Sequence, residues 1–396
     1  MAYDLKILNG IIVDGTGDAG RMGDVGVREG KIVALGTVLG PAEQTLDALG
    51  KVVCPGFVDV HTHYDAQLLW DRAMSISPWH GVTTVVIGNC GFGVAPTRPT
   101  HRDLILRTLE KVEGMSADAL RAGLGEDWGF KTFPEYLDLI EQRGIAINVG
   151  VLLGHTPIRL EVMGEDAVRR AATPEEISEM SDIIREGMYA GALGFATSHA
   201  PTHHGFGGHP VPSRLAPMEE LDELVGTMAE SRRGILQATV GRTLFHEEFR
   251  SLASHHDIPI TWTALLAGMS GPGSHRRHQA QALELIKDGL NVVPQISCRP
   301  LNFDFDFNDP FVFQMRPLFG PTMKTDREGR RRIYSDPDFR AAFKKDSVAS
   351  ARNPLAGWME RAVISLSPGQ EANEARPLVD VAAEQGVTPI VLALDL

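Results

Sequence analysis

The sequence predicts an α/β protein: a TIM-like (β/α)8 barrel with a small β-sandwich-type subdomain ahead of it. Three observations carry that prediction. From about residue 53 onward, short apolar runs alternate with helical stretches, the pattern of a buried parallel sheet. The first 52 residues read instead as short strands broken by turn pairs. A His-x-His pair closes the first apolar run of the longer region, and sites of this fold sit at that end of the strands. The expected division is a β subdomain over 1–52 and a barrel over 53–396.

In the N-terminal part, Leu5–Leu8 and Ile11–Val13 flank Asn9-Gly10, a hairpin signal. Asp24–Arg28 and Lys31–Leu35 flank Glu29-Gly30 in the same way. Seven barrel strands are then legible: Val52–Val60, Thr83–Ile87, Ile147–Leu153, Leu193–Thr197, Ile235–Val240, Pro259–Leu265 and Val292–Ser297. Helices lie between most of them. Thr173-Pro174-Glu175-Glu176 is a helix start, an N-cap followed by proline and two acids. Ala280–Lys287 is a helix that Gly289 ends. An eighth strand is not legible. Cys298 to about Gln370 is expected to be irregular, with a helix over Ala375–Gln385 after it. The expectation is therefore a barrel that is incomplete at its C-terminal side or closes in an unusual way.

Composition narrows the class. The chain has 396 residues, 43% of them hydrophobic, enough for a large core. A formal net charge of −13 argues against a nucleic-acid backbone as partner. Three cysteines, Cys54, Cys90 and Cys298, make no disulfide framework. No secretory signal and no long uncharged apolar stretch is visible, so a cytoplasmic protein without a membrane partner is expected.

The chemistry concentrates in Pro55-Gly56-Phe57-Val58-Asp59-Val60-His61-Thr62-His63. Residues two apart on a strand project to one face, so His61 and His63 can reach one ion. Asp59 lies one step deeper on that face and could orient a ligand histidine. A bare His-x-His is commonly just a strand end. Its place after Pro-Gly on the first barrel strand favours metal binding. Cys90, in Gly88-Asn89-Cys90-Gly91, follows the second strand, and adjacent strands are about 4.8 Å apart. Thiolate and imidazole together suit Zn2+. The expected metal ligands are His61, His63 and Cys90, holding one or two zinc ions.

These motifs, with Asp47-Ala48-x-Gly50-x-Val52-Val53 ahead of them, resemble the amidohydrolase superfamily. Gly-Asn-Cys-Gly is similar to its D-aminoacylase (N-acyl-D-amino-acid deacylase) branch, in which a cysteine takes the place of a carboxylated lysine. No lysine occurs between Lys131 and Lys287, in keeping with that branch. Weaker likeness lies in Gly154-His155-Thr156-x-x-Arg159, Gly191–Phe195 and Pro210–Arg214. The resemblance implies hydrolysis of a linear amide, an N-acyl-D-amino acid, by a metal-activated water. The family's histidines after strands five and six have no counterpart in Ile235–Val240 or Ile260–Leu265. Its catalytic aspartate would fall beyond Leu396.

His155 and Arg159 are candidates to bind the substrate carbonyl or carboxylate, Arg159 in bidentate fashion. His155 could equally be a satisfied strand-end histidine. His203, with His199, His204 and His209 nearby, is a third candidate, in a loop that is otherwise simply polar. Asp304, Asp306 and Asp309 resemble a metal run, but the phenylalanines between them favour a packing loop. Two rival readings stay open. One is a cyclic amide or imide hydrolase of the dihydropyrimidinase kind, which would want a lysine after strand four. The other is an inactive or fragmentary barrel acting as a binding module. An open sheet would expose its first and seventh strands, which favours a homo-oligomer.

Overall fold

The computed structural model describes residues 2–113, 116–205, 208–267, 273–300, 302, 304–308, 310–313, 316–348 and 357–396. The chain divides into two compact units, Met1–Thr62 with Asp71–Val86 and Gly144–Gly150, and His63–Trp70 with Ile87–Arg143 and Val151–Leu396.

The first unit begins with β1 (Tyr3–Ile12), β2 (Arg21–Arg28), β3 (Lys31–Gly36), β4 (Ala42–Asp47) and β5 (Val52–Val53). They form a five-stranded sheet in the order β3-β2-β1-β4, with β5 also on β1. Glu29-Gly30 turns β2 into β3 with both residues at positive φ, as a two-residue hairpin requires. Asn9-Gly10 makes no hairpin. β1 runs straight through it, and the register with β2 shifts between Ile7 and Gly10. The Asn9 backbone is left-handed at φ 60. Its N–H donates to Asp24 at 3.0 Å and its amide to Asp47 at 3.0 Å. A Cβ on Gly10 would lie 2.5 Å from Val53. The same residue types that suit a turn here serve a bulge, because β4 and β5 pair along the other edge of β1.

The second sheet has seven strands in the order β12-β11-β10-β9-β8-β7-β6, the TIM-like α/β arrangement. They are β6 (Phe57–Asp59), β7 (Val82–Ile87), β8 (Asn148–Gly154), β9 (Gly194–Ser198), β10 (Ile235–Thr239), β11 (Ile260–Thr263) and β12 (Val292–Pro294). The registered pairs are parallel. Each strand falls within or beside one of the expected apolar runs. β9 is buried along its whole length, as a parallel strand covered on both faces should be.

The helices of the second unit begin with α1 (Arg102–Glu113), α2 (Ala117–Leu124), α3 (Phe133–Arg143), α4 (His155–Met163), α5 (Pro174–Ala190), α6 (Met218–Glu230), α7 (His246–His256) and α8 (Ser274–Lys287). α5 starts on a capping box. Thr173 accepts from the Glu176 N–H, and Glu176 accepts from the Thr173 N–H at 2.8 Å. α8 begins before the expected Ala280 and ends ahead of Gly289, whose φ is 85°.

Past Cys298 the chain is less irregular than its composition suggests. It forms α9 (Arg327–Ser335), α10 (Pro337–Val348), α11 (Trp358–Arg361), α12 (Leu378–Glu384) and α13 (Pro389–Asp395). These surround a core of Phe313, Phe319, Phe339, Phe343 and Trp358 with Leu378, Val381 and Ile390. Phe343 meets Phe319 edge-on with ring centroids 4.9 Å apart and Phe313 at 5.1 Å, the favoured aromatic geometry. Phe305 and Phe307 pack on the same cluster, so Asp304 and Asp306 belong to a packing loop. Asp309 lies outside the described residues. No helix among the described residues is long and apolar enough to cross a membrane.

Phe343 has no exposed surface and touches aromatic rings on several sides. Phe343→Ala is expected to destabilise the second unit by about 3–5 kcal/mol, read as a lowered urea midpoint.

Candidate functional site

β6 stops at Asp59, and His61-Thr62-His63 continues as extended coil. Thr62 anchors this segment. Its N–H donates to the Val86 carbonyl at 3.1 Å and its hydroxyl to the same oxygen at 2.8 Å. The side chain between the two histidines is thereby held against the end of β7. Asp59 accepts the backbone N–H of His61 at 3.2 Å, fixing the main chain of the segment.

Gly88-Asn89-Cys90-Gly91 is a tight turn built on left-handed backbone. Gly88 has φ 81, Cys90 φ 59 and Gly91 φ 71. Both glycines are required by space as well as by φ. A Cβ at Gly88 would lie 2.3 Å from the Leu152 carbonyl oxygen, and one at Gly91 would lie 2.8 Å from Thr197 Cα. Cys90 takes the same region without glycine's freedom, at a cost of about 1–3 kcal/mol. Its N–H is held by the Gln237 side-chain oxygen at 2.6 Å. Asp65, two residues past His63, accepts from the Gly88 N–H, and burial pushes its carboxyl up to about 7.

The thiol ends 3.9 Å from His63 Nε2. Two ligands on one tetrahedral zinc would be about 3.6 Å apart, given bonds of about 2.3 Å to sulfur and 2.0–2.1 Å to nitrogen. One ligand atom each from His61, His63 and Cys90 can be chosen so that all lie within 4.8 Å of one another. Two imidazoles and a thiol at such separations fit a zinc-like ion.

Gln237 belongs to a directed row of hydrogen bonds. Its amide donates to the Thr263 hydroxyl at 3.0 Å, and that hydroxyl donates to Gln295 at 2.6 Å. These side chains stand on β10, at the end of β11 and just past β12, so the Cys90 turn is tied to the far strands of the sheet. In sequence, glutamine and threonine in strands carry no signal of such a row. Gln237 and Asp65 were not foreseeable as site residues.

His203 stands close to this group. The Ser198 hydroxyl and His203 Nδ1 are 2.7 Å apart, and the ring lies 5.1 Å from Phe92, which itself lies 6.3 Å from His63. Arg214 holds the loop by donating to the His203 carbonyl at 2.9 Å.

His155 and Arg159 are placed differently. Both are 0% exposed, in α4, which starts directly after the end of β8, and both turn to Glu220 on α6. Burial lowers the His155 pKa against the pull of Glu220. The ring bridges two partners, with Nε2 2.9 Å from Glu220 Oε1 and Nδ1 2.9 Å from the Thr197 hydroxyl. Arg159 also contacts Glu220 and donates to the Arg170 carbonyl at 3.0 Å. Burial alone would raise the Glu220 pKa. The hydrogen bonds and charges of His155 and Arg159 outweigh it and bring the carboxyl down to about 2. Glu220 explains why an arginine and a histidine can be buried here, and an acid in a helix gives no hint of that in sequence.

The fold and the donor set define a TIM-like α/β protein with a candidate centre for a divalent metal. The chain belongs to the amidohydrolase family, whose model matches residues 44–290. It is 36% identical over 266 residues to D-aminoacylase of Alcaligenes xylosoxydans xylosoxydans, covering 65% of this chain and 49% of that protein. The chain thus spans about half the length of this curated relative. A crystal structure of D-aminoacylase superposes with TM-score 0.64 at 24% identity, over 100% of this chain and 70% of that one. N-acyl-D-glutamate deacylase of Bordetella bronchiseptica, solved with zinc and a phosphonate inhibitor, superposes with TM-score 0.61 at 26% identity, over 99% of this chain and 69% of that one.

Two outcomes are expected. Gly91→Ala should lose about 1–3 kcal/mol or more from its backbone conformation alone, seen as a lower melting temperature. Glu220→Gln leaves the Arg159 charge buried and uncompensated and should cost about 3–5 kcal/mol at neutral pH. The pH dependence gives the sign. The Glu220 carboxyl falls from 4.5 to about 2 on folding, so its contribution is complete above 4.5 and is lost as pH drops toward 2. The gap between variant and parent should therefore narrow below pH 4.5, as denaturant titrations at stepped pH will read.

Proposed function

We propose that the chain is a metal-dependent hydrolase that cleaves the amide bond of N-acyl-D-amino acids, with His61, His63 and Cys90 holding a zinc ion. The observation that carries this reading is the convergence of two imidazoles and a thiol at a turn whose backbone is built to present that thiol. The likeness to D-aminoacylase and to N-acyl-D-glutamate deacylase supports the substrate class. Held by His61, His63 and Cys90, a zinc ion would supply Lewis-acid chemistry for an amide carbonyl and a water of lowered pKa.

The protein's own residues do the placing. Cys90 would hold the ion through its sulfur, and Gln237 holds its main chain so that the sulfur lies near His63. Asp65 ties the histidine segment to the same turn through Gly88. His203, half-buried and set by Ser198, is the substrate contact nearest His63 through Phe92. His155 and Arg159 serve as a buried brace with Glu220 between α4 and α6 rather than as substrate contacts. None of the three cysteines forms a disulfide, which supports a reducing, cytoplasmic setting.

Metal analysis and a substrate panel test this together. The parent chain should retain zinc and release free amino acid from N-acetyl-D-amino acids in preference to their L isomers. Cys90→Ala should lose the metal, and Gln237→Leu should weaken it by about 10–100-fold. Unchanged zinc content in Cys90→Ala would overturn the centre. Zinc binding with turnover of cyclic amides alone would overturn the substrate class.

A further inference from the structure

We propose that Asp222, His255 and His256 form a second, peripheral site for a divalent transition-metal ion that ties α6 to α7. His255 and His256 are the last two residues of α7, and Asp222 lies on α6. Both rings aim at one carboxylate oxygen. His256 Nε2 is 2.9 Å and His255 Nδ1 3.4 Å from Asp222 Oδ1. One ligand atom from each of the three residues can be chosen so that all lie within 4.8 Å of one another.

The separations match a shared ion. Two ligands with bonds of about 2.0–2.1 Å to a tetrahedral zinc stand about 3.3 Å apart. Adjacent helix residues normally point about 100° apart, yet here the two rings stack with centroids 4.4 Å apart and planes 27° from parallel. The surface of α6 is cut to receive one of them. Gly226 stands one turn after Asp222, and a Cβ there would lie 3.0 Å from His256 Cε1. His256 is accordingly sheltered at 14% exposure, while His255 at 68% and Asp222 at 41% leave the site open to solvent.

Charge and chemistry agree. The C-terminal end of a helix carries partial negative charge, which favours a cation beside His255 and His256. Two imidazoles and one carboxylate select zinc, nickel or copper over magnesium or calcium, which prefer all-oxygen sets. Three protein ligands leave room for water, so the ion acts as a clamp between the helices that follow β9 and β10. Neither helix carries His61, His63 or Cys90, and the clamp stands apart from that centre and from its proposed chemistry.

The test is equilibrium dialysis of the full chain against micromolar zinc, with bound metal counted by mass spectrometry, alongside melting temperatures with and without added zinc. Asp222→Asn, His255→Ala and His256→Gln should each lose one equivalent that the parent binds, and with it the zinc-dependent rise in melting temperature. Cys90→Ala should keep that equivalent and that rise. His255 is exposed, so its alanine variant keeps the fold, and its circular dichroism spectrum should match the parent. Equal stoichiometry and equal thermal response in parent and His255→Ala would overturn the proposal. So would loss of every equivalent in Cys90→Ala.

Discussion

Cys90 keeps a left-handed backbone because its N–H meets the Gln237 side chain, and the geometry of the centre follows from that contact. An unassisted cysteine would relax out of this region and carry its sulfur away from His63. Gln237 resists that change because its own amide is fixed by Thr263, and Thr263 by Gln295. The donors run in one direction along this row, from the Cys90 N–H to the Gln295 oxygen. Removing a member of the row takes a hydrogen-bond partner from its neighbour.

The same turn shows how close packing and chemistry are joined. Gly88 and Gly91 let the chain pass within contact of Leu152 and Thr197, and Cys90 between them is buried. Asp65 then links the histidine segment to Gly88. A second buried system, Glu220 with His155 and Arg159, stiffens α4 against α6. Its charges are worth keeping only because each is answered, since a lone buried carboxylate or guanidinium costs several kcal/mol.

Much of the fold was legible because parallel strands buried on both faces need apolar runs of a set length. β7 to β10 lie within a residue or so of the runs read from sequence. The capping box at Thr173 was legible for a similar reason, since its partners are three residues apart. That His61, His63 and Cys90 lie close together was legible from the His-x-His spacing and from Cys90 following the neighbouring strand. The role of His155 and Arg159 was not. Their partner, Glu220, is more than sixty positions further along the chain.

Local sequence determined most of the barrel strands, the start of α5 and the spacing of His61 and His63, because those properties depend on neighbours a few residues away. Tertiary structure decided the rest. It turned Asn9-Gly10 into a bulge, because a second set of strands pairs along β1. It made a core of the phenylalanines after residue 300, because helices from Arg327 onward close around them. It chose Gln237 to hold Cys90, because the sheet brings the β7 turn over β10. Contacts between residues more than a hundred positions apart leave no periodic trace in a sequence, and only the folded chain shows them.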